Sequence, residues 1–203
     1  MYIHRRGQDL LQVAASEFNK LIGKKVKLIL GRKGRSEEVT IVFDSSDFHH
    51  LAGLHKLKDI QVVYKKNAKL VFNDILKGEI GINDITKSTF FSDIAERIEI
   101  ISQINDIFTK DNLVFKFSRI NILNSKILWQ YLLEFMTVQG YHGYLFLNKY
   151  RRQPGNYVCV TDFKKRKDYS LGQVNMTLLQ TTLIDGAQQK IIFKNPSYNP
   201  NMK

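Results

Sequence analysis

The chain has 203 residues, 43% of them hydrophobic, with 31 Lys and Arg against 19 Asp and Glu and a formal net charge of +12. That length and apolar content suffice for one sizeable core and exclude a disordered chain. The charge points to phosphate-rich partners, nucleic acid first and anionic membrane surfaces second, while apolar runs broken by Lys, Asp or Asn exclude a membrane-spanning helix.

The first seven residues, Met1 to Gly7, carry positive charge but are followed by no continuous apolar stretch of the kind a secretory leader needs, so a cytoplasmic location is expected. From Asp9 to Gly23, Leu10, Leu11, Ala14, Phe18, Leu21 and Ile22 recur at helical spacing, with Gly23 as the stop. Lys25 to Leu30 and Glu37 to Phe43 are β-rich runs joined by Gly31-Arg32-Lys33-Gly34-Arg35. Two glycines and three cations in a hairpin tip can cradle phosphate, although such tips are more often merely solvated. Ser45 or Ser46 is placed to cap the next helix.

That helix carries the most chemistry in the chain. Residues 46 to 58 read Ser-Asp-Phe-His-His-Leu-Ala-Gly-Leu-His-Lys-Leu-Lys and hold three of the five histidines. Histidine titrates near neutrality, so a cluster of it in a basic protein suits proton transfer on an anionic substrate. Wound at 100° per residue, Phe48, Leu51, Ala52, Leu54 and Leu57 share one broad arc that also takes in His50, His55 and Lys58. His49 and Lys56 point away from it. The phase therefore singles out His50, provided that Gly53 does not end the helix; if it does, the bearing of His55 on His50 is lost.

A short strand is expected at residues 60 to 64, a helix from Ala68 to Leu76 ending at Gly78, and a longer helix from Ser92 to Phe108 with Ile94, Ile98, Ile101, Ile104 and Ile107 as its stripe. Beyond Asp111 the period changes to that of strands: Leu113 to Phe117, Ile127 to Val138, Tyr144 to Tyr150, Tyr157 to Phe163, Val174 to Ile184 and Lys190 to Phe193, with Leu128 to Phe135 equally compatible with helix. Gly140, Gly143, Pro154-Gly155 and Asp185-Gly186 punctuate them. Cys159 lies in an alternating strand pattern with no base beside it and reads as a small buried hydrophobe. The expectation is one α+β unit over residues 1–194, N-terminal helices packed on a C-terminal antiparallel sheet of about four or more strands, then a flexible tail over 195–203.

Within that second half, Lys164-Lys165-Arg166-Lys167 lead into Asp168-Tyr169-Ser170-Leu171-Gly172-Gln173. If the following strand runs without a bulge, Gln173, Asn175, Thr177 and Thr181 share one face, opposite Val174, Met176 and Leu178. Such a polar row can read a base or hold a phosphate, and can equally face water. No Cys-x-x-Cys pair, His-Glu-x-x-His helix, Walker loop or Gly-x-Gly-x-x-Gly turn is present, so no metal, ATP or dinucleotide cofactor is expected.

Asp47-Phe48-His49-His50-Leu51-Ala52-Gly53-Leu54, taken with Lys167-Asp168-Tyr169-Ser170-Leu171-Gly172-Gln173 and Thr177-Leu178-Leu179, resembles the phage and mobile-element branch of the barnase-EndoU-colicin-RelE-like nucleases, over roughly Glu17 to Phe193. The resemblance implies a helix-plus-antiparallel-sheet fold and metal-independent cleavage of RNA by a toxin or element-encoded effector; an immunity or antitoxin protein is a candidate further partner. The motif positions that the resemblance carries over are His50, Tyr169, Gln173 and Thr177. In that chemistry His50 is cast as acid or base, Tyr169 or His55 as its counterpart, and Gln173 and Thr177 as positioning groups. Lys58, Arg166 and Lys167 are the candidate charge stabilisers. The alternative, which the charge alone supports equally well, is a non-catalytic nucleic-acid-binding regulator or anti-defence protein. His50 and the wall bearing Tyr169, Gln173 and Thr177 should then face one another across a basic cleft, within roughly 10 Å, to share one phosphate.

Overall fold

Asp9 opens the first helix, α1 (Leu10–Asn19): one carboxylate oxygen accepts from the Gln12 amide at 3.0 Å, and the other accepts from the Ile82 amide at 2.6 Å. A single side chain thus caps one helix and ties it to another 73 positions along the chain. The computed structural model describes residues 8–119 and 127–199. The charged Met1 to Gly7 segment and the last four residues of the tail lie outside them.

After α1 come the hairpin strands β1 (Lys25–Arg32) and β2 (Arg35–Val42). Their two-residue turn has Lys33 at φ 49° and Gly34 at φ 75°, both left-handed, as the twist of a tight hairpin requires. Asp44, rather than Ser45 or Ser46, caps α2 (Ser45–Leu51), in a reciprocal capping box with Asp47. Gly53, at φ 75°, separates α2 from a 3-10 turn at Leu54–Lys56. Then follow α3 (Gln61–Tyr64), α4 (Ala68–Lys77), α5 (Ile82–Ile85), α6 (Ala95–Ile101) and α7 (Ile104–Ile107).

Two expectations fail here for identifiable reasons. Residues 61 to 64 form α3, with Ile60 before it, instead of a strand: among the described residues no strand pairs with this run, and within the helix Val63 is buried while Val62 is exposed. The long helix from Ser92 to Phe108 is broken into a 3-10 turn at Phe91–Asp93, α6 and α7. At the second break the Ser102 hydroxyl and the Gln103 amide both donate to the Glu99 carbonyl, at 2.7 and 3.1 Å, offering the backbone an alternative to the helical ladder.

The remaining strands are β3 (Leu113–Lys116), β4 (Tyr131–Met136), β5 (His142–Lys149), β6 (Asn156–Lys164), β7 (Val174–Asp185) and β8 (Gln188–Lys194). The α+β class is as expected, but the division into helices first and antiparallel sheet last is not. The early hairpin enters the sheet, whose order is β1-β2-β6-β5-β4-β3-β7-β8, and β2 meets β6 in parallel over Thr40↔Asn156 and Ile41↔Tyr157. Because β1 also pairs with β7 through seven residues, from Lys25↔Ile184 to Gly31↔Thr177, seven of the strands close into a ring.

Val26, Leu28 and Leu30 of β1, Leu145 and Leu147 of β5, and Met176 and Leu178 of β7 face the interior and merge with the apolar faces of the helices into the main core. The other face of the β3 to β6 region carries a second cluster around Trp129, Leu132, Tyr144 and Phe146. Helices α2 and α6 pack on β6, and that contact positions the candidate site.

Candidate active site

The phase of α2 is set by its own short length. Without Leu54, which belongs to the separate turn beyond Gly53, the buried side is Phe48, Leu51 and Ala52, and at 100° per residue His50 stands about 150° from its centre. His50 is accordingly exposed and His49 half-buried, the reverse of the expected facing. His49 donates from Nε2 to the Val63 carbonyl at 2.9 Å, a fastening of α2 to α3. The same interruption exchanges the lysines: Lys56 is half-buried and Lys58 exposed.

Gly53 nonetheless brings the two motif histidines together. Its left-handed backbone folds the 3-10 turn back over the end of α2, so that the rings of His50 and His55 stack with centroids 4.4 Å apart and planes 15° from parallel. A Cβ on Gly53 would lie 2.7 Å from Ile94 Cγ2 and 3.0 Å from Arg97 Cδ, so the absence of a side chain lets α6 approach. Arg97 donates to the Leu51 carbonyl at 3.4 Å, and its guanidinium lies 4.0 Å from Asp162 Oδ1 on β6.

The electrostatics of this group are unusual on both sides. Burial first, then Arg97, His49 and Lys56, lower the pKa of His50. His55 is pushed down to about 4 by burial, with His50, Arg97, His49 and Lys56 adding to it. Both rings are therefore neutral at neutral pH. Burial also lowers Lys56, and Arg97 adds to that while Asp93 and Asp162 oppose it. Beneath them Asp162 is fully buried, and burial raises its pKa well above the ordinary carboxylate range against the pull of Arg97. Among the described residues no other residue hydrogen-bonds to either Asp162 oxygen or to His55 Nδ1.

Arg97, Lys56 and Asp162 are the members that sequence reasoning missed. Two signals were available: an arginine beside the apolar stripe of Ile94, Ile98 and Ile101, and an acid inside the otherwise apolar strand Tyr157 to Phe163. Neither reveals a partner until α6 and β6 are in contact.

The second constellation lies elsewhere. Tyr169 packs on the outer aromatic cluster, with ring centroids 5.4 Å from Phe146, 5.5 Å from Phe163 and 5.9 Å from Tyr144. On β6 Phe163 faces that cluster, so its neighbour Asp162 faces the opposite side, toward α6. Gln173 accepts from the Ser118 amide at 2.7 Å. Thr177, on β7, pairs with Gly31 of β1, and β7 is three strand steps from β6 through β1 and β2. The contacts thus bring His50 to His55, not to Tyr169, Gln173 or Thr177. The polar row itself is broken by a bulge at Leu179, which turns Thr181 inward while Asn175 and Thr177 stay exposed.

The cation run is largely spoken for. Arg166 donates to Glu96, beside Arg97, at 3.0 Å. Lys165 is held by buried Glu134 at 2.8 and 3.0 Å, which pushes its pKa up to about 12, and Glu134 also meets His142 Nδ1 at 3.1 Å. Lys167 lies over the Tyr169 ring.

Residues 10–191 match the family of phage-Barnase-EndoU-ColicinE5/D-RelE like nuclease4, and the chain belongs to that nuclease family. No curated protein and no solved structure matches it. Among the described residues no helix is long and apolar enough to cross a membrane.

Proposed function

We propose that this protein cleaves RNA at the His50–His55 pair by attack of a 2′-hydroxyl on the adjacent phosphate, without a metal ion. The observation that carries the reading is the stack of two neutral imidazoles under the influence of two cations, Arg97 and Lys56, in a member of a nuclease family. In this chemistry a base takes the 2′-OH proton, the 2′ oxygen bonds to phosphorus, and the bond to the leaving 5′ oxygen breaks as an acid protonates it. His50, exposed and neutral, is the base. Stacked behind it, His55 becomes the acid once an anionic phosphate raises its affinity for a proton. Arg97 and Lys56 stabilise the charge that builds on the phosphoryl oxygens.

Incubation of the purified protein with RNA in chelator tests this directly. The expected products carry 2′,3′-cyclic phosphate and 5′-hydroxyl ends, and a single 2′-deoxy substitution blocks cleavage at its own position. Intact RNA, or cleavage that needs an added divalent ion, would overturn the mechanism; intact RNA with tight, salt-sensitive binding would instead favour a non-catalytic RNA-binding protein.

A further inference from the structure

We infer that the mouth of the closed sheet, at the end bearing the β1–β2 hairpin, is a second nucleic-acid site that holds backbone phosphates of an RNA strand away from the histidines. The inference rests on the nuclease reading only in taking RNA as the ligand. A cavity of about 530 Å³ opens there, lined by Arg32, Lys33, Arg35, Glu37, Lys116 and Met176 among others. Cavities at the mouths of closed sheets are common ligand sites.

Charge decides what this one can hold. Glu37 is already engaged, accepting from Lys116 and, at 2.9 Å, from the Tyr131 hydroxyl. Among the described residues, Arg32, Lys33 and Arg35 have no acidic partner, which leaves three uncompensated cations at the rim. Arg32 and Arg35 are moreover directly opposite one another on the last rung of the hairpin. Like charges in that position destabilise a strand pair, and an anion seated between them removes the repulsion. Val174 and Met176 give the cavity an apolar wall against which a base can rest.

The strand β6 links this mouth to the histidine site while keeping the two apart. Near its start Tyr157, opposite Ile41 and so six residues along β2 from Arg35, packs on Tyr131, with centroids 5.3 Å apart, and near its end Asp162 Oδ1 lies 4.0 Å from the Arg97 guanidinium. The stretch of β6 from Tyr157 to Asp162 alone is roughly 16 Å. A ligand reaching both ends must be a chain of several nucleotides, so the mouth selects for length and contributes to binding rather than to chemistry.

The test uses the full chain and a fluorescent single-stranded RNA 12-mer methylated at every 2′ oxygen, whose binding does not depend on cleavage. Arg32→Glu/Arg35→Glu should weaken binding at least tenfold and lower the slope of log affinity against log salt by about 1.4, at ~0.7 per phosphate contact. Arg32→Gln/Arg35→Gln should do the same to a smaller degree. Lys65→Glu/Lys190→Glu, with the same change in net charge at exposed positions elsewhere, should cost less than threefold. Equal weakening by both reversals would mean general electrostatics only, and unchanged binding in the arginine variants would overturn the site outright. Inorganic phosphate and ATP serve as competitors: displacement of the 12-mer only at millimolar levels supports an RNA site. Tight nucleotide binding lost in the arginine variants, with RNA binding intact, would overturn it in favour of a free-nucleotide site. If the wild type also cleaves RNA, the arginine variants should raise KM for long RNA and leave a dinucleotide's turnover unchanged.

Discussion

His50 and His55 stack face to face, centroids 4.4 Å apart, although five positions separate them and Gly53 ends the helix between them. Two like groups in such contact cannot both be charged cheaply, and Arg97 and Lys56 press the same way, so the pair takes up a proton only well below neutral pH. In the proposed reaction the charge of a bound phosphate would oppose that effect and favour protonation of the pair.

His50→Ala and His55→Ala should each lower cleavage by about 10²- to 10⁴-fold, the usual worth of a positioned acid or base. His49→Ala should leave turnover close to wild type and cost about 1 kcal/mol of stability through the lost bond to the Val63 carbonyl. Cleavage assays beside urea melts separate the two outcomes. Loss of activity in His49→Ala at wild-type stability would contradict the assignment.

Arg97→Ala should reduce cleavage by about 10²- to 10³-fold, as expected for one donor to a developing oxyanion. Asp162→Asn should do far less. It replaces a buried carboxyl, already held toward its neutral form, with a neutral amide of the same shape, and so leaves the field of Arg97 and Lys56 on a phosphate nearly as it was. We expect a stability change within about 1 kcal/mol and RNA binding close to that of the wild type. A dead Asp162→Asn enzyme with normal stability would instead make this carboxyl a participant in proton transfer.

Gly53→Ala should destabilise the fold by about 2 to 4 kcal/mol, combining a left-handed backbone with a Cβ too close to Ile94 and Arg97. Because α6 must retreat, activity per folded molecule should also fall. A shift in the urea midpoint without loss of specific activity would show that Gly53 serves the fold alone.

Since the folded protein holds His55 at about 4, below the ordinary 6.5, the unfolded chain binds the proton more readily between those values. Its contribution to stability is full above about pH 6.5 and is lost as pH falls toward 4, with a slope of at most about 1.4 kcal/mol per pH unit and less for a half-buried, screened ring. His55→Phe should flatten this limb of the stability profile, measured by urea unfolding from pH 4 to 7. An unchanged limb would place the penalty on other groups.

Local periodicity and turn chemistry suffice to read the α+β class, the amphipathic α1, the stop of α4 at Gly78 and most of the strands directly from the residues. The family too was readable there, in His50-Leu51-Ala52-Gly53 and the late Gly172-Gln173 block. That β1 and β2 join the late strands is settled by pairing in space, because closing a sheet and pairing β2 with β6 are contacts between distant parts of the chain that leave no mark on either segment. The same holds for the candidate site. His50 and His55 were legible, but their helical phase was carried across Gly53, where the backbone turns left-handed and periodicity stops. Arg97, Lys56 and Asp162 became partners only when packing brought α6 and the Gly53 turn onto β6, since burial, and with it the pKa of each group, is a property of what surrounds a residue and not of its neighbours in sequence.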